Sequence, residues 1–454
     1  MNFPAKTKVA AIILAAGKGT RMRSDTHKVL HKVGGRPMLM HLLASLAELA
    51  PERQVVVVGD KAGQLRSALA GSDVQLAIQD PQLGTGHAVL QAAQALEGFS
   101  GTTLILFGDV PLLSAGAMRR LVDAVATEAG PAIAVLGFRP PIPGAYGRII
   151  AQPDGTIEHM VEAKDASPDD LAVPLCNSGL MAVRADLLFP LLAQVRNDNA
   201  AGEYYLPDIV MLAAASGHRS IVMEGSPDEV IGVNSRSELA EAEGLFQRRC
   251  RAEAMASGVT LVAPDTVFFS HDTKLGRDTV IEPYVVFGPG VTVGDHVIIR
   301  AHSHIEGAEI GTGADIGPFA RLRPGTVLGA QVKIGNFVET KKAVFAAGAK
   351  ANHLSYIGDA EIGAAANIGA GTITCNYNGF QKARTYVGAG AFIGSNSALV
   401  APVSIGDGAI IAAGSTIARD VAGDALAMTR ADQIEKPGWA ERFRAAMTAR
   451  KDKR

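Results

Sequence analysis

At 454 residues the chain is longer than one hydrophobic core supports, so two or more domains are expected. A formal net charge of −2 removes any global electrostatic case for nucleic-acid or membrane binding, and no apolar run has the length of a bilayer span. Three widely spaced cysteines, Cys176, Cys250 and Cys375, give neither a disulfide framework nor a Cys-x-x-Cys metal site, while 50 glycines without a collagen period point to many tight corners.

Near the N-terminus, Lys6-Thr-Lys8 and a short apolar run, residues 9–16, resemble a secretory leader. Gly17-Lys-Gly-Thr-Arg-Met22 follows in place of a small-residue cleavage site, so the run reads as a first strand and the protein as cytoplasmic. Further strand-length apolar runs lie at 54–58, 103–107 and 132–138, with helical patterns at 38–49 and 86–96 between them. Strands alternating with helices predict an α/β domain, a Rossmann-like, mostly parallel sheet covered on both faces, over residues 1–235. Gly and Pro at 140–144 mark an irregular excursion at the sheet edge. Residues 236–258, charged and Ala-rich without proline, read as a linker helix.

Residues 259–454 carry a hexapeptide repeat. Apolar residues recur every six positions at Ile281, Phe287, Val293, Ile299 and Ile305, then, after one five-residue step, at Ile310, Ile316, Leu322, Leu328 and Ile334. The series returns at Ile357, Ile362 and Ile368, and again at Val387, Ile393, Leu399, Ile405, Ile411 and Ile417. Six residues make one flat side of a triangular coil, so three hexads complete a turn of a parallel β-helix, about eight coils and ~40 Å tall. Two gaps, 336–356 and 375–386, read as insertions that carry site groups. The basic stretch from Arg442 to Arg454 reads as a solvated end.

Leu14-Ala15-Ala16-Gly17-Lys18-Gly19-Thr20-Arg21-Met22 leaves the first strand at its carboxyl end, where open α/β sheets bind ligands. Gly17 and Gly19 let backbone N–H groups approach phosphate oxygens, and Lys18, Arg21 and Lys28 supply cations. The loop is neither a Walker A motif nor Gly-x-Gly-x-x-Gly, and by itself it suits a structural turn as well as a phosphate cradle. Together with Lys28-Val-Leu30, Gly84-Thr-Gly86 and Gly108-Asp109-Val-Pro-Leu112, it resembles the sugar-nucleotide pyrophosphorylases.

That resemblance implies a nucleoside triphosphate against Leu14, Ala15, Ala16, Gly17, Arg21 and Lys28, with uracil held by Gln79, Gly84 and Thr85. It implies that Phe107 and Gly108 line the substrate site and that Asp109 and Asn234 hold Mg²⁺. Gly147, Glu162 and Asn177 would hold an acetamido sugar. The pattern departs from the family at Phe107, where relatives often carry Tyr, and at His27, where Pro is frequent.

In the second half, Arg321-Leu-Arg323-Pro-Gly325, Glu339-Thr-Lys341-Lys342, Asn352-His-Leu-Ser-Tyr356 and the run from Asn367 to Gly379 are hard to explain as solenoid packing. With the front-half motifs they closely resemble the bifunctional N-acetylglucosamine-1-phosphate uridylyltransferase/glucosamine-1-phosphate acetyltransferases, over nearly the whole chain. The resemblance implies a left-handed β-helix, a homotrimer with sites between neighbours, and direct attack of the amine of glucosamine 1-phosphate on acetyl-CoA. His353 would be the base, Arg323 and Lys341 would bind the sugar phosphate, and Tyr356 and Asn367 would orient the sugar. Asn376 and Tyr377 would lie near the acyl group, a backbone N–H near Ala370 would meet the oxyanion, and Ser395, Ala413 and Arg430 would line the coenzyme A cleft.

Acetylation followed by uridylylation from UTP would give UDP-N-acetylglucosamine, a precursor of bacterial cell-wall polymers. Two other readings remain at this point. The β-helix of a monofunctional nucleotidyltransferase could serve oligomerisation alone, or His296, His302, His304 and His353 could bind zinc.

Overall fold

The computed structural model describes residues 7–59, 61–127 and 130–451; Lys6 and the last three residues of the basic tail lie outside them. Two compact units divide between Cys250 and Arg251, inside the helix Arg236–Ala256.

In the front unit the strand Val9–Ala15 is buried along its whole length, because neighbouring strands flank it and both sheet faces are covered. Ala11, Ile13 and Ala15 point into one core and Ala10, Ile12 and Leu14 into the other. The sheet runs Ser220–Glu224, Ile133–Phe138, Cys176–Arg184, Thr102–Phe107, Val9–Ala15, Arg53–Val58, Gln75–Ile78. Along this path Cys176–Arg184 is antiparallel to both neighbours and the other pairings are parallel. The carboxyl ends of Val9–Ala15 and Thr102–Phe107 therefore lie at one edge, where Leu14 is the register partner of Phe107 and Gly108 N–H donates to the Leu14 carbonyl at 2.9 Å. Gly17 and Asp109 accordingly line one cleft at this edge.

The helical pattern at 38–49 forms Met38–Ala47, whereas the one at 86–96 divides into Thr85–Leu90 and a 3-10 turn, Gln94–Leu96. The helix Arg236–Ala256 is anchored by its own entry: Asn234 N–H donates to the Glu238 carboxylate at 2.7 Å and the Ser235 hydroxyl does so at 3.0 Å.

The back unit is a left-handed parallel β-helix. One face stacks ten strands, more than the eight coils expected, since the ladder begins at Thr260–Leu261 and continues to Leu426–Ala427. Along this face Ile281, Ile299, Ile316, Ile334, Ala351, Ile368, Ile393 and Ile411 stand in register, each stacked on the next. Every apolar residue of the repeat series is buried.

The expected insertion at 336–356 is not one. Glu339–Phe345 and Lys350–His353 join the ladder in register, with Thr340, Phe345 and Ala351 buried at the inward positions. Threonine and alanine at two of these positions hide the repeat from an aliphatic template. The Thr340 hydroxyl meets that of Thr326 at 2.9 Å, which satisfies it inside the prism. The gap at 375–386 is a true excursion: Tyr377 and Lys382 bridge antiparallel, Phe380 at the tip is 94% exposed, and the chain rejoins the ladder at Thr385–Val387. No helix among the described residues is long and apolar enough to cross a membrane.

Two candidate active sites

The carboxyl edge of the front sheet opens into a cleft of about 1010 Å³. Leu14, Ala15, Ala16, Gly17, Lys28, Gln79, Gly84, Thr85, Phe107 and Asp109, all expected at the nucleotide site, line it together with Lys18. Lys28 heads a one-turn helix, Lys28–Leu30, capped by the buried His27 imidazole, which accepts from Val29 N–H. From there the Lys28 ammonium reaches Asp109 Oδ2 and, at 3.0 Å, Asn234 Oδ1. The Lys28 and Asp109 side chains are only 12% and 15% exposed, so the pair is largely shielded from solvent. Val233 N–H donates to the Asp109 carbonyl at 2.9 Å, which brings the 232–234 segment to the strand end.

The Gln79 amide donates to the Gly84 carbonyl at 2.9 Å and Thr85 Oγ1 accepts from Leu206 N–H at 3.0 Å, so both side chains also brace their own loop. Arg21 is exposed and Gly108 sits behind Asp109; neither they nor the sugar residues line the cleft itself.

Gly147, Glu162 and Asn177 form an adjoining group. Asn177 N–H donates to the Gly147 carbonyl at 2.9 Å, its amide oxygen accepts from Gly179 N–H at 2.8 Å, and a Cβ on Gly147 would sit 3.4 Å from Glu162 Oε1. The group abuts the cleft through Phe107, whose ring lies so close to Gly179 that a Cβ there, at φ +81°, would come within 2.7 Å of it. Sequence reasoning missed Gln82, whose amide donates to the Ala16 carbonyl, and Glu203; both line the cleft, and neither sits in a recognisable motif.

Burial raises the proton affinity of Glu162, helped by repulsion from Asp208, Asp165 and Glu203. Asp208 is pushed up to about 6, first by burial and then by Asp165 and Asp198, even though its place in the first turn of Asp208–Ala215 favours the carboxylate. With its folded value raised, the stability Asp208 contributes is present in acid and is lost as pH climbs through about 6. Asp208→Asn is therefore expected to leave the melting temperature unchanged near pH ~4 and to raise it near pH ~7.5. Thermal unfolding across that range checks it; a destabilised variant at the higher pH contradicts it.

In the back unit the expected acetyltransfer residues fall on neighbouring coils. Arg321–Leu322 pairs with Glu339–Phe345, which pairs with Tyr356–Ile362; Lys341 is the register partner of Gly358, and Asn336 that of His353. Arg323 Nη1 donates to Glu339 Oε1 at 2.6 Å. His353 is exposed, with Nδ1 2.8 Å from Asn336 Oδ1. Asn367 lies on the next coil, over Lys350.

Lys341 has its proton affinity lowered by Lys382 first and Arg323 second, with Asp359 opposing. Lys382 rides on the excursion and was missed: only the fold returns it to Lys341. The excursion is tied down by the Asn376 amide, which donates to Asp359, while the Tyr377 hydroxyl donates to the Gly379 carbonyl. Above His353 runs a backbone column. Gly371 N–H donates to the His353 carbonyl at 3.3 Å, Asn396 N–H to that of Ala370 at 2.7 Å, and Gly414 N–H to that of Ser395 at 2.8 Å. Arg430 then donates to the Ala413 carbonyl at 2.9 Å. The expected coenzyme A residues thus share one edge with His353.

His302 is stacked between Tyr284 and Phe319, at 4.9 and 4.8 Å, and no three of His, Cys, Asp and Glu gather in a metal-binding group among the described residues.

The MobA-like NTP transferase domain matches residues 11–208, and the bacterial transferase hexapeptide (six repeats) matches 272–307 and 384–419. The bifunctional protein GlmU of Sphingopyxis alaskensis is 61% identical over 451 residues, 99% of this chain and 99% of its own. Those of Novosphingobium aromaticivorans and Zymomonas mobilis are 60% and 55% identical, covering 98% and 96% of this chain and 98% and 97% of their own. The chain belongs to the GlmU family.

Membership makes the chain a bifunctional transferase, with a nucleotidyltransferase front unit and a hexapeptide acyltransferase back unit. It forms UDP-N-acetylglucosamine by acetyl transfer from acetyl-CoA to glucosamine 1-phosphate and uridylyl transfer from UTP to N-acetylglucosamine 1-phosphate. GlmU membership also answers the monofunctional reading, since the relatives match both units along their length.

Proposed function

We propose that the two transfers are carried by the side chains gathered at the front cleft and at the edge of the β-helix. In the back unit Arg323, Lys341 and Lys382 hold the phosphate of glucosamine 1-phosphate, while Tyr356 and Asn367 orient its sugar. The carrying observation is that adjacent coils bring these cations together: Arg323 N–H bonds the Thr340 carbonyl at 2.9 Å, next to Lys341, and Lys382 on the excursion lies close enough to disfavour the charge on Lys341.

His353 accepts the proton of the amine, freeing its lone pair to attack the thioester carbonyl carbon. The N–C bond forms, a backbone N–H near Ala370 stabilises the oxyanion, and the C–S bond breaks. The attacking nitrogen then gives up its second proton, which the departing coenzyme A thiolate takes to become the free thiol, and His353 releases the proton it took first to solvent. Asn376 and Tyr377 flank the acyl group; Ser395, Ala413 and Arg430 hold the coenzyme, with the Arg430 guanidinium suited to its phosphates.

In the front unit Leu14 and Ala15 wall the cleft, Ala16 and Gly17 beyond the strand end present backbone N–H groups to the triphosphate, and Arg21 and Lys28 neutralise it. Gln79, Gly84 and Thr85 hold the uracil, Phe107 and Gly108 shape the floor, and Gly147, Glu162 and Asn177 hold the acetamido sugar. The sugar phosphate oxygen attacks the α-phosphorus, and pyrophosphate leaves.

Asp109 and Asn234 fit Mg²⁺: both turn an oxygen toward one cationic centre, the Lys28 ammonium, and an all-oxygen pair suits a hard cation that keeps its remaining positions for phosphate and water. When bound there, Mg²⁺ supplies neutralisation of phosphate charge.

We further infer a cytoplasmic homotrimer. Tyr284, His302, Phe319 and Phe337 stack at 4.8–5.1 Å along one edge of the prism, and their exposed rings form an apolar ridge that a neighbouring prism would cover.

Glucosamine without its phosphate tests the three-cation assignment. Its kcat/KM for acetylation is expected to fall by about 10²-fold or more, the loss of several charge-assisted contacts. Equal kcat/KM for the two amines would remove the phosphate site from these residues.

A further inference from the structure

One side chain holds the His353 ring. Nδ1 lies 2.8 Å from Asn336 Oδ1, and the two residues are register partners at the ends of adjacent strands, Lys333–Asn336 and Lys350–His353. Leu354 N–H also donates to the Asn336 carbonyl at 3.0 Å, so the backbone fixes the two residues against each other. At the preceding position, Gly335, any Cβ would collide with the Asn352 carbonyl, and this close approach is open only to glycine.

With the Asn336 amide oxygen facing Nδ1, the contact is a hydrogen bond when the imidazole donates from Nδ1, which leaves its lone pair on Nε2. A neutral imidazole with its proton on Nε2 would instead point a donor outward and could not take a proton there. We propose that Asn336 fixes the tautomer of His353 and is thereby a positioning residue for acetyl transfer. The proposal rests on His353 being the base. Asn336 itself carries no proton in the reaction: the amine proton passes to His353 Nε2, and the Asn336 amide oxygen then stabilises the Nδ1–H of the imidazolium.

Nitrogen NMR of histidine-labelled full-length protein, at a pH where His353 is neutral, reads the tautomer directly. The expected result is a protonated Nδ1 and an unprotonated Nε2 for His353. In Asn336→Leu the balance should move toward protonated Nε2, and kcat for acetyl transfer should fall about 10–100-fold with KM for glucosamine 1-phosphate unchanged. Asn336→Asp, which keeps an acceptor at the same reach, should recover most of the lost kcat.

A wild-type His353 protonated on Nε2 overturns the proposal even if the leucine variant fails to fold, and so does an Asn336→Leu enzyme with undiminished kcat. Should His353→Ala also retain acetyl transfer, the base assignment itself fails; loss with His353→Ala but not with Asn336→Leu removes only the role of Asn336.

Discussion

Alanine at position 353 is expected to lower kcat for acetyl transfer by about 10²–10⁴-fold, the range spanned by general-base catalysis, while uridylyl transfer continues. The amine of glucosamine 1-phosphate is largely protonated at neutral pH and has no lone pair to offer until a base takes its proton. His353 is an exposed imidazole at the end of Lys350–His353, three residues before Tyr356, whose strand pairs with that of Lys341, and its ring is held by Asn336. Its side chain contributes nothing to the buried ladder, so truncation leaves the prism standing: the inward position of that coil is Ala351, two residues earlier. Steady-state assays of both activities on one preparation check the prediction. Retained acetyl transfer would remove His353 from the chemistry, and parallel loss of both activities would point to a folding defect.

The converse result is expected for Asp109→Ala: uridylyl transfer falls by about 10²-fold or more, and acetyl transfer is unchanged. The substitution removes one of the two oxygens that converge on the Lys28 ammonium and leaves Asn234 Oδ1 as that cation's remaining partner of the two. The backbone should hold, because Val233 N–H bonds the Asp109 carbonyl and not its side chain. Asp109→Asn, which keeps an oxygen but loses the charge, should fall between alanine and the native enzyme, with a raised requirement for Mg²⁺. An Asp109→Ala enzyme that transfers uridylyl groups at the native rate contradicts the metal assignment.

Much of this was legible in the sequence because the signals are periodic or sit at chain positions that topology makes special. The six-residue spacing from Ile281 to Ile334, broken by one five-residue step, predicts a parallel coil with these residues inward, and they obey it by burial. The loop after Val9–Ala15 and the Gly108-Asp109 pair sit at parallel strand ends, so one edge had to collect them. What stayed hidden depends on contacts between distant residues. Thr340 and Ala351 occupy inward positions with residues that no aliphatic template accepts, so one ordinary coil looked like an insertion. Lys382 meets Lys341, and Gln82 meets Ala16, only through the fold's return paths. Asn336 is 17 residues from His353, one coil of the prism, a relation that appears once the ladder is in register.

One chain performs two transfers, each at its own site. Supplying the purified protein with glucosamine 1-phosphate, acetyl-CoA, UTP and Mg²⁺, and following free thiol and pyrophosphate together, tests it most directly. Both products should accumulate, thiol first, and should converge on equal amounts as UDP-N-acetylglucosamine forms. Pyrophosphate released without thiol when N-acetylglucosamine 1-phosphate is supplied, together with no thiol from glucosamine 1-phosphate and acetyl-CoA, would leave the β-helix without its transfer and contradict the account.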